Sequence, residues 1–210
     1  RVVIPFLRQQ GIRKLDRVIL THLDQDHSGA FPSIEKAFEI EHVQSNERGD
    51  KLKFQDNFSL CQQGQSWSYP NLKIEILSPQ AAELGAVKDQ KNEYSCVLYV
   101  QFLHAQPYQN FLIMGDAGWQ TEFKLLQQYP NLKVDVLVLG HHGSKHSSAY
   151  DFLTQLKPKL AIASSGFNNR YGHPSREVQQ RLKALNIPLL NTAQTGTIRF
   201  IFEHGTVQLI

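Results

Sequence analysis

Four potential metal ligands fall within six residues near the start of the chain, in the run His22-Leu23-Asp24-Gln25-Asp26-His27. The run follows an apolar stretch, Val18–Leu20, that is typical of a buried strand. Because the end of a strand brings side chains to the rim of a sheet, these imidazoles and carboxylates can converge there on cations. His22 and Asp24 can serve one metal, and Asp26 and His27 a second. Without a cation such crowded ligands would repel one another and attract protons, so the run predicts a metal site rather than a polar loop.

Three further clusters of the same residue types each follow a predicted strand. An aspartate follows the apolar run 111–114, two adjacent histidines between glycines follow the run 134–139, and a histidine follows the run 160–164. Taken alone, Asp116 is read as a helix cap, because Trp119 opens a helix nearby. Taken together, the clusters predict that one edge of a sheet collects His22, Asp24, Asp26, His27, Asp116, His141, His142 and His173.

The ligand types in these clusters are imidazole nitrogens and carboxylate oxygens. A pair of divalent cations needs roughly this number of ligands, with one carboxylate bridging the two ions. Because no cysteine belongs to the set, a thiolate-bound structural zinc is excluded. Zinc and manganese both suit mixed imidazole and carboxylate ligands, so the predicted cofactors are two divalent ions, Zn or Mn.

The composition is that of an ordinary globular protein. Of 210 residues 41% are hydrophobic and 20% are charged, and no apolar run approaches the roughly 18 residues that span a bilayer. The formal net charge of +3 is compatible with a polyanionic substrate. Cys61 and Cys96 have no CxxC spacing, and we expect two buried thiols rather than a disulfide. The side chains that could line a basic groove, or be ordinary solvated charges, are Lys88, Lys91, Lys145, Arg170 and Arg176.

Helices interleaved with strands predict an α/β protein in a single domain, residues 1–210. Apolar periodicity predicts helices over 2–10, 31–38, 119–128, 149–156 and 175–185. It predicts strands over 16–21, 41–44, 58–62, 73–77, 96–102, 111–114, 134–139, 160–164 and 188–191, and a terminal hairpin of 197–203 with 207–210. The polar segment 78–94 is expected to be a loop with one helical turn.

The run 22–27 resembles the HxHxDH signature of the metallo-β-lactamase superfamily, with Asp24 in place of the second histidine. That departure resembles the subgroup found at the C-terminus of the ComEC/Rec2 DNA-internalisation competence proteins. The resemblance covers nearly the whole chain in the family's order. It extends through the motifs Asn92-Glu93-Tyr94-Ser95, Gly115-Asp116-Ala117, Gly140-His141-His142-Gly143-Ser144-Lys145, Asn169-Arg170-Tyr171-Gly172-His173-Pro174 and Asn191-Thr192-Ala193-Gln194-Thr195-Gly196-Thr197-Ile198.

The resemblance implies a metallo-β-lactamase-like αββα sandwich of two mixed sheets flanked by helices. The family's domain normally starts with a β-hairpin that carries an Asp-Val-Gly-Gln-Gly-like motif, and nothing here matches it. The chain is therefore expected to lack the first β-hairpin and to be an N-terminally truncated fragment of a larger membrane protein. The resemblance places that parent in the inner (cytoplasmic) membrane, with this domain soluble on the extracytoplasmic side.

The resemblance also implies a role for each early ligand. His22 and Asp24 would bind one metal, Asp26 and His27 would bind the other, and Asp116 would bridge them.

Later positions of the family's motifs fall on further polar residues. His141 and His173 match late ligand positions, and Asn92 falls where many relatives carry another ligating histidine. The side chains implied as substrate contacts are Asn92, Ser95, Ser144, Lys145, Ser147 and Arg170.

Phosphodiester hydrolysis is the reaction class that the ligands and the resemblance predict. In this hypothesis Asp26 orients a water activated by two metals, and Lys145 with serine hydroxyls balances the charge of the transition state. His142 or His173 protonates the leaving oxygen. The resemblance suggests that the substrate is single-stranded DNA, belonging to the strand that is not taken up. It implies as partners the membrane channel portion of the parent and other competence proteins.

Two other functions stay open at this point. The chain could be a non-catalytic metal- or DNA-binding module of the uptake machinery, which an amide at Asn92 and the missing hairpin favour. It could instead be a free-standing hydrolase of the same superfamily that acts on small phosphodiesters. An open coordination position at both metals would separate an enzyme from a closed structural site.

Overall fold

The helices and strands follow the apolar runs of the sequence. The computed structural model describes residues 2–49, 57–84, 92–203 and 206–209. The helices within these ranges are α1 (Val3–Gln9), α2 (Gln25–Ser28), α3 (Phe31–Ala37), α4 (Trp119–Gln128), α5 (Tyr150–Leu156), α6 (Arg176–Ala184) and α7 (Thr192–Thr195). The strands are β1 (Lys14–Leu15), β2 (Val18–Leu20), β3 (Glu39–Ile40), β4 (Val43–Ser45), β5 (Phe58–Leu60), β6 (Ser66–Tyr69), β7 (Leu72–Ser78), β8 (Val97–Phe102), β9 (Asn110–Ile113), β10 (Val136–Val138), β11 (Leu160–Ala163), β12 (Leu189–Asn191), β13 (Phe200–Glu203) and β14 (Thr206–Leu209).

The larger sheet has seven strands in the order β12-β11-β10-β9-β8-β7-β6. Strands β9 to β12 are parallel, while β6 to β9 pair antiparallel. A second sheet has the order β2-β4-β5 and is parallel in its described strands. Two short pairs, β1 with β3 and β13 with β14, complete the strands. Strands β2, β9, β10 and β11 end in the loops that carry the predicted ligands.

The two faces of the larger sheet are covered by different elements because side chains alternate along a strand. Leu137 of β10 belongs to a core that includes buried side chains of α4, α5 and α6. Its neighbours Val136 and Val138 pack instead with Phe200 and Phe202 of β13. Helices therefore form one outer layer of the molecule.

The smaller sheet lies between the larger sheet and α3. Ile19 of β2 packs with Ile76 of β7 and Leu98 of β8. The next residue, Leu20, points to the opposite face and packs with Phe31 of α3. The layers are therefore helices, seven-stranded sheet, three-stranded sheet and helix, which confirms the predicted αββα sandwich. The smaller sheet differs from the expectation in being parallel rather than mixed in its described strands.

A disulfide joins the two sheets at Cys61, directly after β5, and Cys96, directly before β8. The two Cα atoms are 6.1 Å apart, and both residues are fully buried. The expectation of buried positions is confirmed, but the expectation of free thiols is wrong. The sequence separation of 35 residues gives no local sign of the pairing.

The predicted elements occur with shifts of one to three residues at their ends. Helix α4 has the predicted bounds, while β6 and the short β1–β3 pair were not predicted. Within the predicted loop 78–94, one helical turn forms at Ala81–Glu83, and residues 85–91 lie outside the described ranges. Among the described helices none combines the length and apolar character needed to cross a bilayer.

Candidate metal centre

The predicted ligands meet where four strands end. The run 22–27 follows β2 of the smaller sheet, and Asp116 follows β9 of the larger one. His141 and His142 lie in the turn Gly140–Gly143 after β10, and His173 lies between β11 and α6. The carboxyl ends of neighbouring parallel strands lie at one edge of a sheet, which is the usual place for a site in layered α/β folds. The cluster therefore lies at the boundary between the two sheets.

Asp116 occupies the middle of this cluster and is only 4% exposed. Its Oδ1 lies 3.0 Å from Nε2 of His27 and 3.6 Å from Nε2 of His142. Its Oδ2 lies 3.7 Å from Nε2 of His22 and 3.8 Å from Nε2 of His141. Each carboxylate oxygen thus faces two imidazoles, which is the arrangement expected of a carboxylate that bridges two cations.

Two exposed aspartates complete the arrangement on the solvent side. Oδ2 of Asp26 lies 3.2 Å from Nε2 of His142 and 3.9 Å from Nε2 of His27. Oδ2 of Asp24 lies 3.8 Å from Nε2 of His22. The structure contains two groups of three residues whose potential ligand atoms lie within 4.8 Å of one another, and His27 belongs to both. One group is His22, His27 and Asp116, and the other is Asp26, His27 and His142.

The buried atoms of the cluster fit a bound cation. His22 is fully buried, and its Nε2 has no hydrogen-bond partner within the described part of the chain. A buried polar atom without a partner costs free energy, and such an atom beside a carboxylate is the arrangement that a cation satisfies. The donor set contains only nitrogen and oxygen atoms, so it suits divalent ions that accept imidazole and carboxylate together.

Hydrogen bonds behind the rings fix which nitrogen faces the centre. Nδ1 of His142 donates to the carbonyl oxygen of Ser164 at 2.6 Å. Because a carbonyl can only accept, Nδ1 of His142 carries a hydrogen, and Nε2, the atom that faces Asp26 and His27, is the nitrogen left to bind a cation. Nδ1 of His22 lies 3.1 Å from the hydroxyl of Thr21, which leaves its Nε2 directed at Asp116.

The protonation states of His22 and Asp116 are those that metal binding requires. Burial lowers the pKa of His22, and the nearby charge of His27 lowers it further. Burial raises the pKa of Asp116, but the hydrogen bond and the charges of the surrounding histidines outweigh it, so the net pKa lies below its usual value. Burial also lowers the pKa of His27, but its hydrogen bond to Asp116 and the charges of the nearby aspartates together outweigh that effect, so the net pKa is raised. His22 is therefore neutral and Asp116 ionised near neutral pH.

The turn that carries the adjacent histidines has an unusual backbone. His141 and His142 both have positive φ, of 48° and 56°, and Gly143 follows with φ 83°. Left-handed backbone in non-glycine residues costs free energy and persists where the surroundings hold it. A Cβ on Gly143 would lie 2.7 Å from Cβ of Pro174, so the turn packs tightly against the loop that carries His173.

A sequence model of the metallo-beta-lactamase superfamily matches residues 1–54 of the chain. ComE operon protein 3 of Bacillus subtilis is 34% identical over 97% of this chain and 27% of its own length. Competence protein ComA of Neisseria gonorrhoeae is 35% identical over 98% of this chain and 28% of its own length. Recombination protein 2 of Haemophilus influenzae is 33% identical over 99% of this chain and 25% of its own length.

This chain belongs to the metallo-β-lactamase superfamily. It is homologous to one part of the ComEC/Rec2 competence proteins, and it spans about a quarter of the length of these three relatives. Two solved structures share the fold. The metallo-beta-lactamase fold protein YhfI of Bacillus subtilis has a TM-score of 0.53 at 13% identity, and it covers 97% of this chain and 82% of that one. The β-hydroxylase CmlA has a TM-score of 0.55 at 12% identity, with coverage of 85% and 43%.

Two residues that sequence reasoning missed support the loop after the histidines of this metallo-β-lactamase domain. The carboxylate of Glu122, buried on α4, accepts hydrogen bonds from the backbone N–H groups of Ser148 and Ala149. Arg181 of α6 donates to the carbonyl oxygens of Ser147 and Ser148 at 2.9 and 2.6 Å. A signal existed for Glu122, because it lies three residues before Leu125 and therefore on the same face of the predicted helix.

The serines that were predicted to contact substrate lie beneath the metallo-β-lactamase site instead. Ser95, Ser144 and Ser147 are all buried. Oγ of Ser95 accepts from the backbone N–H of Asp116 at 3.1 Å, and Oγ of Ser147 donates to the carbonyl of Gly140 at 2.7 Å. These hydroxyls therefore support the backbone that carries the ligands rather than facing solvent.

The other predicted substrate contacts occupy different positions. Lys145 and Arg170 are exposed, in the loops that carry His142 and His173, and Asn92 is half-buried, with its carbonyl oxygen accepting from the N–H of Ser95. Lys88 and Lys91, which were considered for a basic groove, lie outside the described residues.

Proposed function

We propose that this chain is a metal-dependent phosphodiesterase domain that hydrolyses DNA as part of a DNA-uptake protein. The observation that carries the proposal is the buried carboxylate of Asp116, which lies among four imidazoles, one of them His22 with an unpartnered Nε2. Membership of the superfamily supports metal-dependent hydrolysis in general. The competence proteins among the relatives support a DNA substrate.

Each ligand takes a role from its position. His22 and Asp24 hold one cation, Asp26 and His27 hold the other, and Asp116 bridges them. His141 and His173 lie on the side of the larger sheet and are proposed as the remaining ligands.

His142 is proposed as a ligand rather than as the proton donor that sequence reasoning considered. Its Nδ1 hydrogen is engaged by a carbonyl, and its Nε2 lies 3.2 Å from the carboxylate of Asp26. Nε2 is therefore the nitrogen that is free to bind a cation beside that carboxylate.

The residues of the chain organise the attack on a phosphodiester. Two divalent ions would supply a water of lowered pKa and polarise the phosphoryl oxygen. Asp26, exposed at the mouth of the cluster, orients the attacking water and accepts its hydrogen bond. Lys145, exposed in the loop after His142, holds a phosphate oxygen as charge develops. Ser95 and Ser147 keep the ligand-bearing backbone in place from below.

The setting of the domain follows from its relatives and is part of the proposal. The parent would be a membrane protein of DNA uptake, with this domain outside the cytoplasm. The partners would be the channel portion of the same parent, other competence proteins, and the DNA strand that is not transported.

The experiment is a cleavage assay on labelled single- and double-stranded DNA. It is run in chelator and then with Mn²⁺, Zn²⁺ or Mg²⁺, beside Asp26→Asn. Loss of a catalytic base costs about a hundredfold or more in rate, so we expect metal-dependent cleavage that Asp26→Asn reduces by at least that factor. The matched control is Asp16→Asn, because this residue precedes β2 and lies at the far end of that strand from the cluster.

Two results would contradict the proposal. Cleavage that Asp26→Asn leaves unchanged would refute the role of this carboxylate. Absence of DNA cleavage, with calorimetry showing that both ions bind, would favour a non-catalytic module, or a hydrolase of small phosphodiesters if such compounds are cleaved.

A further inference from the structure

Two aromatic side chains project into solvent from the loop that carries His173. Phe167 is 89% exposed and Tyr171 is 67% exposed, more than any other aromatic side chain reported as exposed in the described part of the chain. Single exposed apolar residues are common on proteins. Two large rings within five residues, on a loop at the rim of a candidate active site, instead suggest a contact surface.

We propose that residues 166–173, called the aromatic loop, form a platform on which unpaired bases of single-stranded nucleic acid stack beside the metal centre. The proposal rests on the proposed function and names the form of its substrate.

The aromatic loop is held in one conformation by Asn169. Its amide nitrogen donates to the carbonyl oxygen of His173 at 2.9 Å, and its amide oxygen accepts from the N–H of the same residue at 2.8 Å. The amide nitrogen also lies 3.3 Å from the carbonyl oxygen of Gly166. Because the loop is already ordered, a ligand that binds there does not bear the entropy cost of ordering it.

The rings of the loop continue into the metal centre. Tyr171 stacks on His173 with ring centroids 5.8 Å apart and an interplanar angle of 18°. His173 in turn is nearly parallel to His142, with centroids 6.5 Å apart and an angle of 22°. Nε2 of His142 lies 3.2 Å from Oδ2 of Asp26. A base stacked at Tyr171 would therefore be two ring contacts from the ligands, and the backbone of its strand would lead toward them.

The charge around the aromatic loop favours a polyanion. The guanidinium of Arg170 lies 4.8 Å from the centroid of the Tyr171 ring, and Lys145 is exposed in the loop that carries His142. No Asp or Glu occurs between Asp151 and Glu177 in the sequence. Exposed aromatic rings beside basic side chains are the combination that binds single strands, since the rings accept base faces and the cations accept phosphates.

A single strand fits better than a duplex. In a duplex both faces of each base are covered by neighbouring bases, so aromatic side chains can stack only on bases that are unpaired or flipped out.

The test is fluorescence anisotropy with the 210-residue chain in chelator, so that cleavage does not consume the probe. The probes are an oligothymidylate of about twelve nucleotides, an abasic strand of the same length, and a hairpin duplex. Base–aromatic stacking predicts that Phe167→Ala and Tyr171→Ala each weaken oligothymidylate binding by about five- to a hundredfold. Tyr171→Trp is expected to retain wild-type affinity, as is the control Phe123→Ala, which removes an exposed ring of α4. Binding of the abasic strand and the duplex is expected to be the same in all variants.

Three results would contradict the proposal of a stacking platform. The first is that the alanine variants bind oligothymidylate as tightly as the wild type, and the second is that they lose equal affinity for the abasic strand. The third is that the wild type does not bind oligothymidylate. Loss of binding to anionic phosphatidylglycerol vesicles in the alanine variants, with DNA affinity intact, would assign the rings to a lipid surface instead. Thermal melting of each variant excludes unfolding. Because binding is measured without cleavage, the binding assay can contradict the stacking platform while the cleavage assay supports the phosphodiesterase. The opposite combination of results is equally distinguishable.

Discussion

Glu122→Gln is expected to remove a large, pH-dependent contribution to the stability of this domain. Glu122 is 1% exposed, and its carboxylate accepts the backbone N–H groups of Ser148 and Ala149. Burial raises the pKa of this carboxyl from 4.5 to about 7, although the two backbone hydrogen bonds oppose the shift. The nearby charge of Glu93 raises the pKa further and that of Arg181 lowers it.

The magnitude follows from the shift. The folded protein binds the proton of Glu122 more tightly than the unfolded chain does, so protonation of this carboxyl contributes to the free energy of unfolding. The contribution is fully present below pH 4.5 and is lost as the pH rises through 7. A shift of this size at about 1.4 kcal/mol per pKa unit corresponds to about 3 kcal/mol. Glutamine does not titrate, and it leaves one N–H without an acceptor, which adds a pH-independent cost of about 1–3 kcal/mol.

The assay is urea denaturation of both proteins in chelator at a series of pH values from 4.5 to 8. The unfolding free energy of the wild type minus that of Glu122→Gln should fall by about 3 kcal/mol across this range. Histidines of the metal centre titrate in both proteins, so their contribution cancels in the difference. Glu35→Gln, on the exposed side of α3, is the matched control and should run parallel to the wild type. Parallel curves for Glu122→Gln and the wild type would refute the reasoning.

Three further changes have expected outcomes. Gly143→Ala should cost about 1–3 kcal/mol in urea denaturation, because φ is 83° and the new Cβ would lie 2.7 Å from Pro174; an unchanged midpoint would contradict the tight packing of the turn. Cys61→Ser with Cys96→Ser should cost roughly 4 kcal/mol, since the disulfide closes 35 residues; stability equal to that of the oxidised wild type would count against the pairing. Asp24→His should shift metal preference from manganese toward zinc in competition titrations, because imidazole is the softer ligand; an unchanged ratio would refute this assignment.

The sequence predicts the layered fold because periodicity and burial agree along most strands. Val18–Leu20 and Leu160–Ala163 are apolar runs that stay buried or half-buried, and both occur within their predicted ranges. Strand β6, Ser66–Tyr69, alternates serines with Trp67 and Tyr69, but it was missed because it is a short and mostly exposed edge strand of four residues. Local pattern is a good guide where a strand is covered, and a poor one at an edge.

That the proposed ligands lie together could be predicted, but the direction of each side chain could not. His22 and Asp116 follow strands that end at one edge of the fold, so their proximity follows from topology. The tautomer of His142 depends on the carbonyl of Ser164, which only the folded chain brings near. The burial of Ser147 depends likewise on how its loop returns to Gly140. Long-range contacts of this kind produce no recognisable pattern of residue spacing in the sequence.

The disulfide and the metal centre share one short segment of the chain, and this links redox state to ligand geometry. Cys96 is bonded to Cys61, and its N–H donates to the carbonyl of Thr21, next to His22. The preceding residue, Ser95, accepts from the N–H of Asp116. The dipeptide 95–96 thus holds the end of the smaller sheet and the central carboxylate of the larger one at the same time. Reduction of the disulfide would release a constraint one residue from that carboxylate's support, so metal affinity should respond to the oxidation state of two cysteines that are not ligands.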